Sequence, residues 1–249
     1  MQAPFPSTLQ HGEPELMRAS EFQRYLDELE PEAAEAANTR LTSLSPSLLQ
    51  DLLRFEAEGQ RGDVLGVLAA AMRHGQSLTV HLRSGRNVVP LTVFPRQKLA
   101  HCPIEMDRFL AGDLAGLEVM QVERAVLRPP GDRQRALIGD AGLYAPVDPL
   151  LWLMALRGAR AELLPELAGQ AAYRVSPGLH LRGLPMTPEL AAAVSRLRRA
   201  TSNLRDVAAW PGLDRERACR LLNALYVKAG LIVSRTHPAA TNEGWAGYR

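Results

Sequence analysis

Three helix starts and a β-branched run follow one another between residues 187 and 235 of this 249-residue chain. Thr187 is a good N-cap, and the proline and glutamate after it favour the first turn of a helix. Pro211-Gly212 stops a second helix, since proline cannot continue the hydrogen-bond ladder and glycine accepts turn dihedrals. Asp214 starts a third helix, and the run LIV at 231–233 is typical of a strand. This order predicts a helix-turn-helix with the first strand of a wing.

Apolar residues recur at helical spacing in each of these segments and predict one buried face per helix. We expect Gly230 to end the third helix in the usual position for a C-terminal glycine. After Arg235 the sequence shows no clear returning strand. The predicted core residues are Leu190, Val194 and Leu197, then Leu204, Val207 and Ala208, then Ala218, Leu221, Leu222 and Leu225.

The motifs LRDVA at 204–208, ALY at 224–226 and AGLI at 229–232 give this segment a family resemblance. It resembles bacterial winged-helix domains, in which a second helix and a turn precede a recognition helix and GLI marks the entry to the wing. The resemblance is confined to the C-terminal third and implies fold more than function. A domain of this kind is expected to bind duplex DNA or another protein.

A second resemblance lies upstream, at residues 77–112. The stretch LTVHLRSGRNVVPLTVFPRQKLAHCP at 78–103 precedes a short helical pattern. It is similar to the small β-rich domains of PATAN-type bacterial signalling proteins, which accompany such winged helices. This likeness implies a regulatory role in signalling.

Six side chains are candidates for contact with DNA or a protein partner. A recognition helix presents its N-terminal face to the major groove, where arginine pairs with guanine and asparagine with adenine. Residues 187–249 hold ten basic and five acidic residues, although Asp206, Asp214 and Glu216 lie at the same end and would repel phosphate. The same residues also fit a solvated helix face or a protein-docking surface. The candidates are Arg205, Arg215, Arg217, Arg220, Asn223 and Arg235.

The rest of the chain is expected to complete an α+β fold of N-terminal helices with a small antiparallel sheet. We predict a flexible leader at 1–14, a helical and antiparallel β module at 15–128, a linker at 129–147 and a helical domain at 148–249 that contains the winged helix. Three helices are predicted near the start of the chain. The apolar face of the first consists of Phe22, Tyr25, Leu26 and Leu29. The second contains Leu48, Leu49, Leu52, Leu53 and Phe55, and the third runs from Val64 to Met72. Period-two patterns predict strands at 78–82, 88–94, 98–104 and 117–127, with a short helix at 105–110.

A strongly apolar helix, LLWLMAL at 150–156, follows the predicted linker and ends at Gly158. Because it is apolar on nearly all sides, both of its flanks should be covered. Burial within the chain is one explanation. Association with a second copy, giving a homodimer, or with a protein partner is the other.

Charge and composition limit the kinds of partner and the cellular compartment that can be expected for this protein. Residues 1–60 hold four basic and eleven acidic residues, and their cluster Glu28, Glu30, Glu32 and Glu35 is either a solvated helix or a segment that docks on a basic surface. No apolar run reaches the roughly 18 residues that span a bilayer, so we expect no membrane insertion. The two cysteines, Cys102 and Cys219, are expected to be buried thiols in a reducing compartment. A cytoplasmic protein is the expectation.

No constellation for catalysis can be assembled from the sequence. Phosphate-loop, dinucleotide, GxSxG and HExxH motifs are absent, and the six histidines are scattered. We therefore assign no catalytic, cofactor-binding or metal-binding residue. The prediction is a non-catalytic bacterial regulatory protein that acts through protein–protein interaction, with the winged helix as the docking element. A DNA-binding transcriptional regulator with an N-terminal sensing or dimerisation module is the alternative, and a small-molecule sensor that uses the β module is a third.

Overall fold

A computed structural model describes residues 16–28, 45–48, 50–51 and 63–242 of the chain. Residues 19–28 are helical, as are 46–48 and 50–51. Phe22 of the first predicted stripe is buried, whereas Tyr25 is exposed. The predicted leader at 1–14 lies outside the described residues, as do most of the second predicted helix and the glutamates from Glu30 to Glu35. None of the described helices is long and apolar enough to cross a bilayer.

The first half of the fold is a five-stranded antiparallel sheet, which confirms the predicted α+β class. Its strands are β1 (Leu78–Ser84), β2 (Asn87–Phe94), β3 (Leu99–His101), β4 (Glu118–Arg124) and β5 (Tyr144–Pro146), in the order β4-β1-β2-β3-β5. A tight turn joins β1 to β2, and residue 85 in it has φ of 59°, a conformation that glycine adopts without strain.

Three helices accompany this sheet: α1 (Val64–His74), α2 (Met106–Ala111) and α3 (Val147–Arg157). Asp63 caps α1 by accepting a hydrogen bond from the Gly66 N–H at 2.9 Å. Helix α3 is the predicted apolar helix, and it packs against α1, α2 and the third helix of the C-terminal half. The Trp152 indole is fully buried and donates to the Pro185 carbonyl at 2.8 Å. Burial within the chain therefore explains why this helix is apolar on all sides.

The second half is a helical unit with a small sheet. It contains β6 (Gln170–Val175), α4 (Pro188–Arg199), α5 (Leu204–Ala208), α6 (Arg215–Val227), β7 (Leu231–Ser234) and β8 (Thr241–Asn242). The three predicted helices and the strand after them are thus present. The sheet order is β7-β6-β8, with both neighbours antiparallel to β6.

The structure corrects three expectations about strands. The predicted linker at 129–147 contributes β5, an edge strand that pairs with β3. Strand β6 was not predicted, because its QAAYRV sequence shows little alternation or β-branching. The chain does return after Arg235, as β8, but β6 lies between β7 and β8. The returning strand is only two residues long, and so short a strand leaves no period-two pattern.

The end of α6 also differs from the prediction. The residue in the left-handed conformation is Ala229, at φ 53°, and not Gly230. A Cβ on Gly230 would run into the Leu179 side chain. Glycine at this position lets Leu179 pack directly against the backbone, and it does not serve as a left-handed cap.

A continuous core of buried side chains runs from Leu48 to Val227 and includes both halves of the fold. Ion pairs cross between the halves at the segment after α3. Arg160 binds the largely buried Asp63 at 3.2 Å, and Arg73 binds Glu166. The segment at 159–168 is therefore fixed to α1 as well as to the helical unit.

Candidate functional site

The predicted recognition helix, α6, begins in a well-defined turn. The Leu213 N–H donates to the Trp210 carbonyl at 3.0 Å, and Gly212 takes the positive φ of 77° that a type II turn needs after proline. The Asp214 carboxylate then caps α6 by accepting from the Arg217 N–H at 2.7 Å. These local bonds set where the first turn of α6 lies, and this turn is exposed.

The middle of α6 is not available for contact with a partner. Asn223 was predicted to be an exposed, adenine-reading residue, but its side chain is fully buried. Its Oδ1 accepts from the Leu164 N–H and its Nδ2 donates to the Glu162 carbonyl, both at 2.9 Å. The prediction of exposure is wrong because segment 159–168 needs these two bonds to satisfy its own backbone.

Arg220 and Arg235 are likewise occupied inside the chain. Arg220 donates to the Gly158 carbonyl at 2.7 Å and to the Leu156 carbonyl at 3.3 Å, and it pairs with Glu216 at 2.8 Å. Arg235 donates to the carbonyls of segment 166–170, at distances from 2.5 to 3.0 Å. Both arginines therefore bond to main-chain carbonyls of other segments of the chain.

The other three candidates, Arg205, Arg215 and Arg217, are exposed. Arg217 donates to the Gly212 carbonyl at 3.0 Å and so lies over the turn. Four of the six predicted residues, Arg235 among them, are therefore exposed, whereas Asn223 and Arg220 are held against segment 156–164.

A mixed aromatic and charged surface lies beside the α6 turn, and sequence reasoning did not find it. The Arg196 guanidinium of α4 lies 5.5 Å from the centre of the Trp210 ring, within the range of a cation–π contact. Glu189 is next to Gly212, and its pKa is lowered, first by the hydrogen bond from Thr187 and less strongly by the charge of Arg217. We call Glu189, Arg196, Trp210, Pro211 and Arg217 the α4–α6 surface.

A serine, a histidine and an aspartate form a hydrogen-bonded chain at the end of α1. Ser47 Oγ lies 3.3 Å from His74 Nδ1, and His74 Nε2 lies 2.7 Å from Asp51 Oδ2. Such an order of groups can activate a serine, but Arg73 binds the same Asp51 oxygen at 2.6 Å. Burial opposes ionisation of Asp51, yet the His74 bond and the Arg73 charge lower its pKa overall. The cluster is a strong anchor between segment 45–51 and α1, and only the spacing of Ser47 and Asp51 by one helical turn hinted at it.

The two cysteines are buried, as predicted. Burial raises the pKa of Cys102 and of Cys219 to about 11 each, so both are protonated thiols at neutral pH and poor nucleophiles. Within the ranges that the structure describes, no three histidine, cysteine, aspartate or glutamate side chains are grouped to hold a metal ion.

Comparison with protein-family models, with curated proteins and with solved structures found no match to this chain.

Proposed function

We propose that this chain is a non-catalytic regulatory protein whose C-terminal unit docks on a protein partner through the α4–α6 surface. The main support for this proposal is that segment 156–164 of the same chain covers the middle of α6. A recognition helix reads bases with side chains on its exposed face, mainly near its N-terminus, and here two of the four candidates on α6, Asn223 and Arg220, bond to segment 156–164 instead.

The chemistry of the exposed surface supports a protein partner. Tryptophan and arginine are the residue types that most often dominate the binding energy of protein interfaces. On the α4–α6 surface, Arg196 and Trp210 are already stacked on each other, which reduces the entropy lost on docking. The exposed Arg196 and Arg217 of this surface favour an acidic segment of the partner.

The resemblances agree with this assignment. A small antiparallel β unit followed by a winged-helix-like unit is the combination expected of a bacterial signalling protein. The two buried, unpaired cysteines suit a reducing compartment. We place the protein in the cytoplasm as part of the same proposal.

A DNA-binding regulator is the second candidate. The exposure of Arg205, Arg215 and Arg217 near the start of α6 favours it, because such side chains can contact phosphates. Asp206, Asp214 and Glu216 lie among them and reduce the local positive charge. Any DNA contact of this kind would position the protein without reading many bases.

Two variants separate the candidates. Trp210→Ser removes the aromatic centre of the α4–α6 surface, and the triple variant Arg205→Gln, Arg215→Gln, Arg217→Gln removes the exposed candidate phosphate contacts. Binding to mixed duplex DNA is followed by fluorescence anisotropy across a salt series. Partners in cells are identified by proximity labelling with each variant, after thermal denaturation has shown that all are folded.

Protein docking predicts a labelled partner that is lost with Trp210→Ser, together with weak DNA binding. The expected loss of partner affinity is about 30-fold or more, the value for a hot-spot side chain. The proposal is overturned if the wild type binds duplex DNA tightly with a steep salt dependence, the triple variant abolishes that binding, and Trp210→Ser changes neither readout.

A further inference from the structure

A cavity of about 470 Å³ lies at one end of the five-stranded sheet. The C-terminus of α1, the start of β1, the end of β2 and the residues that follow β4 surround it. Its volume is within the range of sites that hold small molecules. It is far along the chain from the α4–α6 surface, and the proposed function does not use it.

Three arginines line this cavity: Arg96, Arg124 and Arg128. The charged side chains that share its wall with them are His74 and Asp132. The Asp132 carboxylate accepts a hydrogen bond from the Gln134 N–H at 2.9 Å, and His74 is held by Asp51. A single carboxylate therefore faces three guanidinium groups, and the cavity is positive.

No residue that the structure describes pairs with these guanidinium groups. Among the described residues, none of the three forms a side-chain hydrogen bond or an ion pair, in contrast to Arg73, Arg157 and Arg220. The Nε of Arg128 is also buried without any hydrogen-bond partner. A buried cationic donor without an acceptor is costly, and an anionic ligand would remove that cost.

We propose that the cavity binds the phosphate group of a small organic molecule. A phosphate presents several charged acceptor oxygens and can take hydrogen bonds from more than one guanidinium at once. Phe94 and Leu127 also line the cavity and provide an apolar wall for the organic part of the ligand. The N-terminal unit is then a sensor for a phosphorylated compound.

The test uses phenyl phosphate as the probe and benzoate as its matched carboxylate. Isothermal titration and thermal shift are measured on the full chain. The variants are Arg128→Gln, Arg96→Gln and the triple Arg96→Gln, Arg124→Gln, Arg128→Gln. The control removes the same charge from three exposed arginines of the helical unit, Arg174→Gln, Arg182→Gln and Arg199→Gln.

We expect one phenyl phosphate per wild-type chain, with a melting temperature that rises with its concentration. The single Arg128→Gln variant should lose about tenfold or more in affinity, the loss expected for a charge-assisted hydrogen bond. The triple pocket variant should lose binding, and the triple control should retain it. If the triple pocket variant does not fold, the exposed Arg96→Gln provides the same comparison.

Three results would overturn the proposal. Equal loss in the control triple would show attraction to net charge only. Benzoate bound as tightly as phenyl phosphate would remove the preference for phosphate. Displacement of phenyl phosphate by a short DNA duplex at lower concentration than by inorganic phosphate would assign these arginines to a nucleic acid backbone.

Discussion

Arginines serve opposite purposes in the two halves of this molecule. In the helical unit Arg220 and Arg235 donate hydrogen bonds to main-chain carbonyls. At the end of the five-stranded sheet, Arg96 and Arg128 line a cavity and bind no described side chain or carbonyl. Arginine suits both tasks because its planar group carries five donors.

The difference shows that the formal charge of a segment says little about the charge it offers to a partner. Residues 187–249 have the larger basic excess, yet four of the six candidate side chains there form hydrogen bonds with the protein's own backbone. Residues 96–128 have no such excess, and they hold three arginines that line a cavity and pair with no described residue. The useful distinction is whether each donor already has an acceptor.

The largest effect expected from this comparison is on Asn223. Asn223→Ala removes an acceptor and a donor from a fully buried position and leaves the Leu164 N–H and the Glu162 carbonyl without partners. We expect the free energy of unfolding to fall by about 2–5 kcal/mol, since each unsatisfied buried group costs about 1–3 kcal/mol. Urea denaturation measures it.

Asn223→Asp is the matched control, because it keeps the acceptor for Leu164 but loses the donor to Glu162. It should be destabilised for a different reason, namely a buried carboxylate that faces a carbonyl. A variant Asn223→Ala that is as stable as the wild type would show that α6 and segment 159–168 do not depend on each other, and the covered face would have to be reconsidered.

A smaller effect is expected for Arg220. Arg220→Ala removes charge-assisted hydrogen bonds to the carbonyls of Leu156 and Gly158 at the end of α3. We expect a loss of about 1.5–3 kcal/mol in the free energy of unfolding, measured by the same denaturation. Arg217→Ala, one turn earlier and exposed, should change stability by about 0.5 kcal/mol or less. Equal effects of the two substitutions would contradict the division of the arginines.

Much of the fold could be predicted because the relevant signals are local. The N-cap residues Thr187 and Asp214 accept the hydrogen bonds that their types predict, and the alternation from Leu78 to Phe94 gave the β1–β2 hairpin. The composition of α3 indicated that all its sides are covered, but it left open whether this chain or a partner covers them; the structure buries the helix within the chain. Such elements need no knowledge of what packs on them.

The errors arose where distant parts of the chain meet. Strand β6 exists because β7 and β8 pair with its two edges, and nothing in QAAYRV indicates this. Asn223 looked like a surface residue of a helix, since its partners lie about sixty positions earlier in the chain. The Arg96, Arg124 and Arg128 cavity is formed at the ends of separate strands. A single sequence does not indicate which residues far apart in the chain lie close together in the fold.

The smallest expected effect concerns His101, a second buried group that lacks a partner. Its Nδ1 has no hydrogen bond, and its ring lies edge-on to Tyr144 at 4.8 Å. Burial lowers the pKa of His101 below 6.5, and the charge of Asp140 only partly opposes this. Unlike Arg128, His101 can avoid the cost of burial by remaining neutral.

The His101 imidazole takes up a proton more readily in the unfolded chain than in the folded one. The free energy of unfolding should therefore fall as the pH drops below 6.5 through the folded pKa. His101→Phe keeps the ring and removes the titration, so its stability should vary less with pH from about pH 7 to about pH 5, where histidine titrates. Parallel profiles for His101→Phe and the wild type would show that His101 does not determine this pH dependence.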